Sequence, residues 1–255
     1  MAKSNLMANL LIYGANGYTG SLIAQEAVRR DYKPILAGRN PEALAVLAKK
    51  LALEHRVFSL DDPAAVDAGL RGVSTVLHCA GPFSHTSTPM ADGCLRASAL
   101  YLDITGEVSV FEALATRDDE AKNAGVMLMP GVGFDVVPSD CLAAHLKRRL
   151  PSASSLTLAF LALSRMSRGT ATTIVENFPQ GGLVRRDGVL TKVQAAWKTG
   201  EIDFGMGPVK AMTIPWGDLS TAYYSTGIKN IEVYMATSLG TRLAARASRY
   251  LGWML

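Results

Sequence analysis

One stretch restricts the possible fold more than any other: Gly14-Ala15-Asn16-Gly17-Tyr18-Thr19-Gly20, three glycines spaced G-x-x-G-x-x-G. It joins an apolar strand candidate, Leu10–Gly14, to a helix candidate, Gly17–Arg30. A glycine at the first position permits a sharp strand-to-helix turn. The second lets backbone approach a pyrophosphate, and the third lets helix and strand pack closely. The helix N-terminus then offers amide donors and the positive end of its dipole to phosphate groups. Between a clear strand and a clear helix, this spacing points to dinucleotide binding rather than an ordinary turn.

The chain around the motif continues the same rhythm. Pro34–Ala37 reads as strand two. Asn40 caps a helix that has Pro41 at its first position, runs to about His55 and carries Leu44, Leu47 and Leu51 on one face. Val57–Leu60 reads as strand three, and Asp62-Pro63 repeats the cap-then-proline signal. Val73–Cys79, Leu100–Ile104 and Val126–Met129 are further strand candidates separated by helices. Strands alternating with helical crossovers imply a parallel sheet covered on both faces. After about Ser139 the pattern shifts to a helix over Cys141–Leu150 and strands at Leu156–Leu163, Val209–Ile214 and Ile231–Ala236. Asp187-Gly188 between Leu183–Arg186 and Val189–Val193 marks a hairpin. The expected fold class is therefore α/β, a Rossmann-type doubly wound parallel sheet followed by a smaller α+β domain with a mixed sheet. Expected boundaries are 1–139 for the dinucleotide-binding domain, 140–238 for a substrate or dimerisation domain and 239–255 for an amphipathic C-terminal helix.

Bulk properties narrow the function classes. The 255 residues are 49% hydrophobic and 19% charged, enough for a substantial core. Arg242, Arg246 and Arg249 supply most of the net charge of +4, so the body of the chain is nearly neutral and does not suggest nucleic-acid binding. Cys79, Cys94 and Cys141 are odd in number and lack C-x-x-C spacing, which argues against a disulfide framework or a metal site and fits a reducing cytoplasm. Leu6–Tyr13 runs straight into the glycine motif and reads as a buried strand rather than a leader.

The end of strand two selects the cofactor. An acidic residue there would accept hydrogen bonds from the adenosine ribose of NAD. Ala37-Gly38-Arg39-Asn40 offers instead a guanidinium, whose planar fork suits a 2′-phosphate. NADP(H) is the expected cofactor. Further contacts are expected where the other strands end: Leu60 and Asp61 near the adenine, Cys79-Ala80-Gly81-Pro82-Phe83 near the nicotinamide ribose, and Thr105 and Gly106 after strand five.

The segments LIYGANGYTG, LAGRN, HCAGPF, YLDITGE and PGVGFDVVPSD, in that order, resemble the saccharopine dehydrogenase-like oxidoreductases, a family that includes trans-acting enoyl reductases. The likeness covers roughly residues 8–145, and Thr221–Tyr234 is similar to a later part of the family. It implies a Rossmann domain followed by a substrate or dimerisation domain, and a homodimer. Family members run on past the equivalent of Leu255, which implies a naturally short or truncated chain. In that case an active site completed by later strands is affected more than cofactor binding.

Catalytic groups are harder to read. No tyrosine has a lysine four residues on, and neither G-x-S-x-G nor a phosphate loop ending in Gly-Lys-Ser/Thr is present. His85 follows the HCAGPF segment, and histidine suits proton transfer near neutral pH, yet a loop histidine is commonly only solvated. Asp135 either faces substrate or caps the next helix. Cys79 reads as a small apolar lining residue rather than a nucleophile, and Tyr223 and Tyr224 as core rather than acid. The C-terminal Leu239–Leu255 segment reads as a helix packed on its own domain in preference to a membrane-surface helix. The expected function is an NADPH-dependent oxidoreductase moving hydride to or from a carbonyl, imine or activated alkene. The composition leans towards a hydrophobic small-molecule substrate. The competing reading is a sensor or interaction protein that binds NADP(H) without turnover.

Overall fold

The computed structural model describes residues 9–134, 136–161, 181–237 and 240. The chain forms two compact units, Met1–Thr105 with Ser109–Phe134, and Gly106–Val108 with Asp135–Leu255.

The first unit is a six-stranded parallel sheet in the order β3-β2-β1-β4-β5-β6. Its strands are β1 (Leu10–Tyr13), β2 (Ile35–Gly38), β3 (His55–Val57), β4 (Thr75–His78), β5 (Leu100–Asp103) and β6 (Leu128–Met129). The crossovers are α1 (Tyr18–Arg29), α2 (Pro41–Leu51), α3 (Pro63–Gly69), α4 (Phe83–Ala97), and the pair α5 (Val108–Ala115) and α6 (Asp118–Ala124). The order reverses at β1, so β1 pairs with β2 on one side and β4 on the other.

Central β1 is buried along its whole length because helices cover both faces. Leu11 and Tyr13 turn to one face and pack with Val66, Leu70, Met90 and Cys94 of α3 and α4 and the loop between them and β4. Leu10 and Ile12 turn to the other and meet Ala24 of α1 and Leu44 and Ala48 of α2. This is the period-two alternation of a strand. Asn40 caps α2 as expected, its Oδ1 accepting from the Ala43 amide at 2.9 Å, with Pro41 following. Such a cap is worth about 1 kcal/mol. Asp62 does the same for α3.

Two expectations shift here. The second helix ends at Leu51 rather than near His55, because Ala52 adopts a left-handed conformation and Leu53 donates back to the Ala48 carbonyl. Strand three is consequently His55–Val57, pairing with Leu36–Gly38, and Phe58 and Leu60 drop into the core from the loop beyond it.

The second unit holds α7 (Val137–Arg149), α8 (Asp218–Thr226) and a six-stranded mixed sheet. The strands are β7 (Ser155–Phe160), β8 (Gly182–Arg186), β9 (Val189–Val193), β10 (Thr199–Asp203), β11 (Pro208–Thr213) and β12 (Asn230–Ala236). β12 is its centre: β7 runs parallel along one edge, while β11 and β8 pair antiparallel with the other. Ile231 and Val233 of β12, Leu158 of β7 and Met212 of β11 form a core with Ala143 of α7 and Leu219 and Ala222 of α8. The β8–β9 hairpin turns through Asp187 and Gly188 at positive φ, as the Asp-Gly pair predicts. Buried Arg185 donates to the Leu219 and Gly188 carbonyls, and its guanidinium lies 4.2 Å above the Tyr223 ring.

Candidate dinucleotide site

The cleft of the first unit forms where β1, β2 and β4 end. Gly14 carries the turn after β1 with φ +78°, and its amide and that of Ala15 both donate to the Ala37 carbonyl of β2. Gly17 is the N-cap of α1; no side chain caps this helix and its first turn contains no acid. The amides at the start of α1 therefore keep the positive dipole end available to an anion.

A cavity of about 680 Å³ opens beside this turn, within the range of small-molecule sites. Gly14, Asn16 and Gly17 line it from the glycine loop, Gly38, Arg39 and Asn40 from the end of β2, and Cys79, Ala80 and Gly81 from the end of β4. The residues fit a dinucleotide on steric grounds. A Cβ built on Gly14 would stand 2.9 Å from the Ala80 amide nitrogen, and one on Gly38 3.1 Å from Asn16 Oδ1. The loops approach each other as closely as they do only because these side chains are absent. Arg39 and Asn40 are exposed at the mouth, with Arg39 free of the core.

Three lining residues were not anticipated from sequence: Tyr13, Pro41 and Glu42. Tyr13 donates to the Phe58 carbonyl at 3.1 Å. Burial pushes its hydroxyl up to about 12, with the Arg39 charge pulling down and Asp61 pushing up. Glu42 is the acid of the first turn of α2, three residues after Arg39.

Other expected contacts lie elsewhere. Ala15 and Leu60 are buried in the two cores of the unit. Tyr18 is 75% exposed on the first turn of α1, and Thr19 is half-buried behind it. Asp61 is exposed and accepts from the Ser59 hydroxyl at 2.8 Å. Pro82, joined to Gly81 by a cis peptide, is the N-cap of α4. Phe83 packs edge-on against His78 rather than into the cleft. Thr105 is buried and its amide donates to the Asp103 carboxylate, which also receives the Gly131 amide and the Tyr101 hydroxyl. Gly106 belongs to the second unit. His85 is exposed in the first turn of α4. Asp135 and the segment 241–255 lie outside the described residues.

Cys79 borders the cleft, but burial, with Asp103 adding to it, pushes its thiol up to about 12. A neutral thiol is a poor nucleophile. Among the described residues no group of His, Cys, Asp and Glu is arranged to hold a metal ion, and no helix is long and apolar enough to cross a membrane.

The strand order and the glycine turn at its reversal define a Rossmann-type nucleotide-binding unit joined to a mixed-sheet unit. Residues 10–129 match the family model described as the saccharopine dehydrogenase NADP binding domain. The chain is similar to the human saccharopine dehydrogenase-like oxidoreductase, 25% identical over 183 residues that make up 64% of this chain and 43% of that one. It is also similar to the trans-acting enoyl reductase of Mycobacterium ulcerans, 29% identical over 58% of this chain and 38% of that one. The chain thus spans less than half the length of these relatives. In fold it is similar to apo saccharopine dehydrogenase (L-Glu forming) from Saccharomyces cerevisiae, with a TM-score of 0.67 at 15% identity, over 97% of this chain and 59% of that one.

Proposed function

We propose that this chain is an NADPH-dependent oxidoreductase that transfers hydride to or from a carbonyl, imine or activated alkene. The observation that carries the reading is Arg39, exposed at the end of β2 on the same cleft as Gly14 and Gly17. In that arrangement the α1 amides receive the pyrophosphate and the guanidinium receives the 2′-phosphate. The bound nicotinamide would supply the hydride; the protein's task is to hold it and to exclude competing acceptors. Cys79, Ala80 and Gly81 are small enough to let the cofactor lie against the end of β4. The similarity to an enoyl reductase and to saccharopine dehydrogenase-like proteins supports a small-molecule substrate, and the apolar composition favours a hydrophobic one. The three free cysteines suit a reducing compartment such as the cytoplasm.

One observation favours binding without turnover: among the described lining residues the Tyr13 hydroxyl is already committed to the Phe58 carbonyl. Cys79 is held neutral by burial. The two readings separate in one experiment. Titration with NADPH and NADH establishes the cofactor, and a panel of aldehydes, ketones, imines and enoyl thioesters is then scored for NADPH oxidation. Consumption that depends on a panel member supports the enzyme. Tight binding with no consumption supports the sensor, and no binding of either dinucleotide overturns both.

A further inference from the structure

His78, the last residue of β4, is completely buried, yet it lies directly behind the cleft-lining residues Cys79, Ala80 and Gly81. Its ring sits among Tyr13, Phe83 and Tyr101, with centroids 5.6, 5.3 and 6.3 Å away. An apolar side chain would fill that space more cheaply, so the polar atoms call for a reason. Nε2 lies 2.9 Å from Thr86 Oγ1 on α4. Thr86 Oγ1 in turn lies 2.7 Å from the Ala80 carbonyl oxygen and 3.0 Å from that of Pro82.

The direction of these bonds follows from counting hydrogens. A carbonyl oxygen only accepts, and a threonine hydroxyl has one hydrogen to give. The Thr86 hydrogen is therefore directed to the carbonyls, nearest to Ala80, and Thr86 must accept from the ring. That requires the proton on Nε2. Nδ1 is then the unprotonated nitrogen, consistent with its having no hydrogen-bond partner. Burial pushes the ring down to about 3, so it stays neutral at ordinary pH.

The Ala80–Gly81 peptide is trans, so its N–H points opposite to its C=O. Fixing the Ala80 carbonyl towards Thr86 fixes the Gly81 N–H away from Thr86, at a residue that borders the cleft. We propose that His78 and Thr86 are positioning residues: the chain Nε2–H to Thr86 Oγ–H to Ala80 O sets the peptide plane that presents the Gly81 N–H to an oxygen of the bound dinucleotide. The proposal rests on the cofactor reading above. It differs from the role of Arg39 in being indifferent to the 2′-phosphate.

Two measurements test it. In the ligand-free full chain, nitrogen–proton correlation of histidine-labelled protein reads the tautomer directly. The expected result is Nε2–H with no titration between mildly acid and mildly alkaline pH; an Nδ1–H tautomer overturns the proposal even if no dinucleotide binds. In the second measurement Thr86→Val, which keeps shape and loses the hydroxyl, should weaken NADPH and NADH alike by about tenfold. His78→Phe should do the same, and Thr86→Ser should restore affinity to within about twofold of the unchanged chain. Unaltered affinity in Thr86→Val, or a loss that serine does not rescue, overturns it. Failure of the unchanged chain to bind either dinucleotide counts against the proposed function, and the tautomer then judges the relay alone.

Discussion

Gly14 and Ala80 bring the ends of β1 and β4 into contact so close that a single methyl group would separate them. A Cβ on Gly14 would meet the Ala80 nitrogen and Cβ at 2.9 Å each, and Gly14 itself sits at φ +78°. Gly14→Ala combines a left-handed conformation with overlap against backbone, so we expect a loss of about 2–4 kcal/mol in unfolding free energy. Gly20→Ala is expected to be comparable, since its Cβ would run into the Gly14 carbonyl and the Ala15 Cα. Gly72→Ala, at φ +71° with open space around it, is the control for conformational strain alone and should cost about 1 kcal/mol. Denaturant unfolding of the three variants measures the difference. Equal losses in all three would mean that steric closeness at the glycine turn contributes little.

Arg39→Asp should weaken NADPH by about 30-fold or more, through loss of a charge-assisted fork and gain of a repulsive carboxylate. NADH should change by no more than about threefold, because the 2′-hydroxyl can use the new acceptor. Parallel calorimetric titrations decide the point. An equal loss for both dinucleotides would remove Arg39 from the phosphate site.

Glu42 shares the cleft with Arg39 and is its nearest acid in sequence among the lining residues. A carboxylate near a 2′-phosphate repels it through a solvent-screened field, so Glu42→Gln should tighten NADPH by about threefold and leave NADH unchanged. The same titrations at low and high salt provide the check: the gain should shrink as salt rises. Weaker NADPH binding in Glu42→Gln would instead make Glu42 a hydrogen-bond acceptor for the nucleoside.

These two residues also show how much was legible in the sequence. Arg39 stands where a strand, a glycine turn and a helix cap meet, so local signals located it. Glu42 is brought to the cleft by the helical rise after Pro41, which becomes visible only once α2 is built. The glycine turn, the Asn40 cap and the Asp187-Gly188 hairpin were readable because each is decided within a few residues. β3 was placed at Val57–Leu60 instead of His55–Val57 because Phe58 and Leu60 are core residues held by a loop, whereas His55–Val57 pair through backbone with β2. β10 escaped notice because Thr199-Gly200-Glu201-Ile202-Asp203 has little apolar content; its pairing with β11 makes it a strand. α8 was also missed, and its helicity is supported by Leu219 and Ala222 packing into the sheet rather than by a strong local signal. His78 and Thr86 could not be paired from sequence, since their contact depends on where α4 begins relative to β4.

Cys79 and Cys94 are both pushed up to about 12 by burial, while Cys141 is exposed on α7. A neutral alkylating reagent at mildly alkaline pH should therefore label Cys141 within minutes and the other two only on unfolding. Mass spectrometry of the labelled peptides reads this directly. Cys79→Ala should keep NADPH affinity within about threefold, since a lining residue that is never a thiolate contributes only its size. Rapid labelling of Cys79 in the folded chain would revive it as a nucleophile.

The same raised groups predict how stability depends on alkaline pH. Tyr13, Cys79 and Cys94 release their protons near 12 when folded, against ordinary values of 10.0 for the phenol and 9.0 for the thiols. Tyr101 is raised in the same direction, by burial first and then by the neighbouring Asp103 carboxylate. Between those limits the folded chain holds more protons than the unfolded one, so unfolding free energy must fall as pH rises. Their contribution is fully present below about pH 9 and is lost progressively towards pH 12. The urea midpoint should accordingly hold level through neutral pH and decline above pH 9, with tyrosinate absorbance appearing only as the chain unfolds. Cys94→Ala removes one buried thiol from the first unit, and should make the alkaline decline shallower while lowering the neutral-pH midpoint slightly. If tyrosinate forms with an ordinary profile while the chain is still folded, Tyr13 and Tyr101 are open to water, and the tight closure between β1, β4 and β5 on which the cleft rests would be absent.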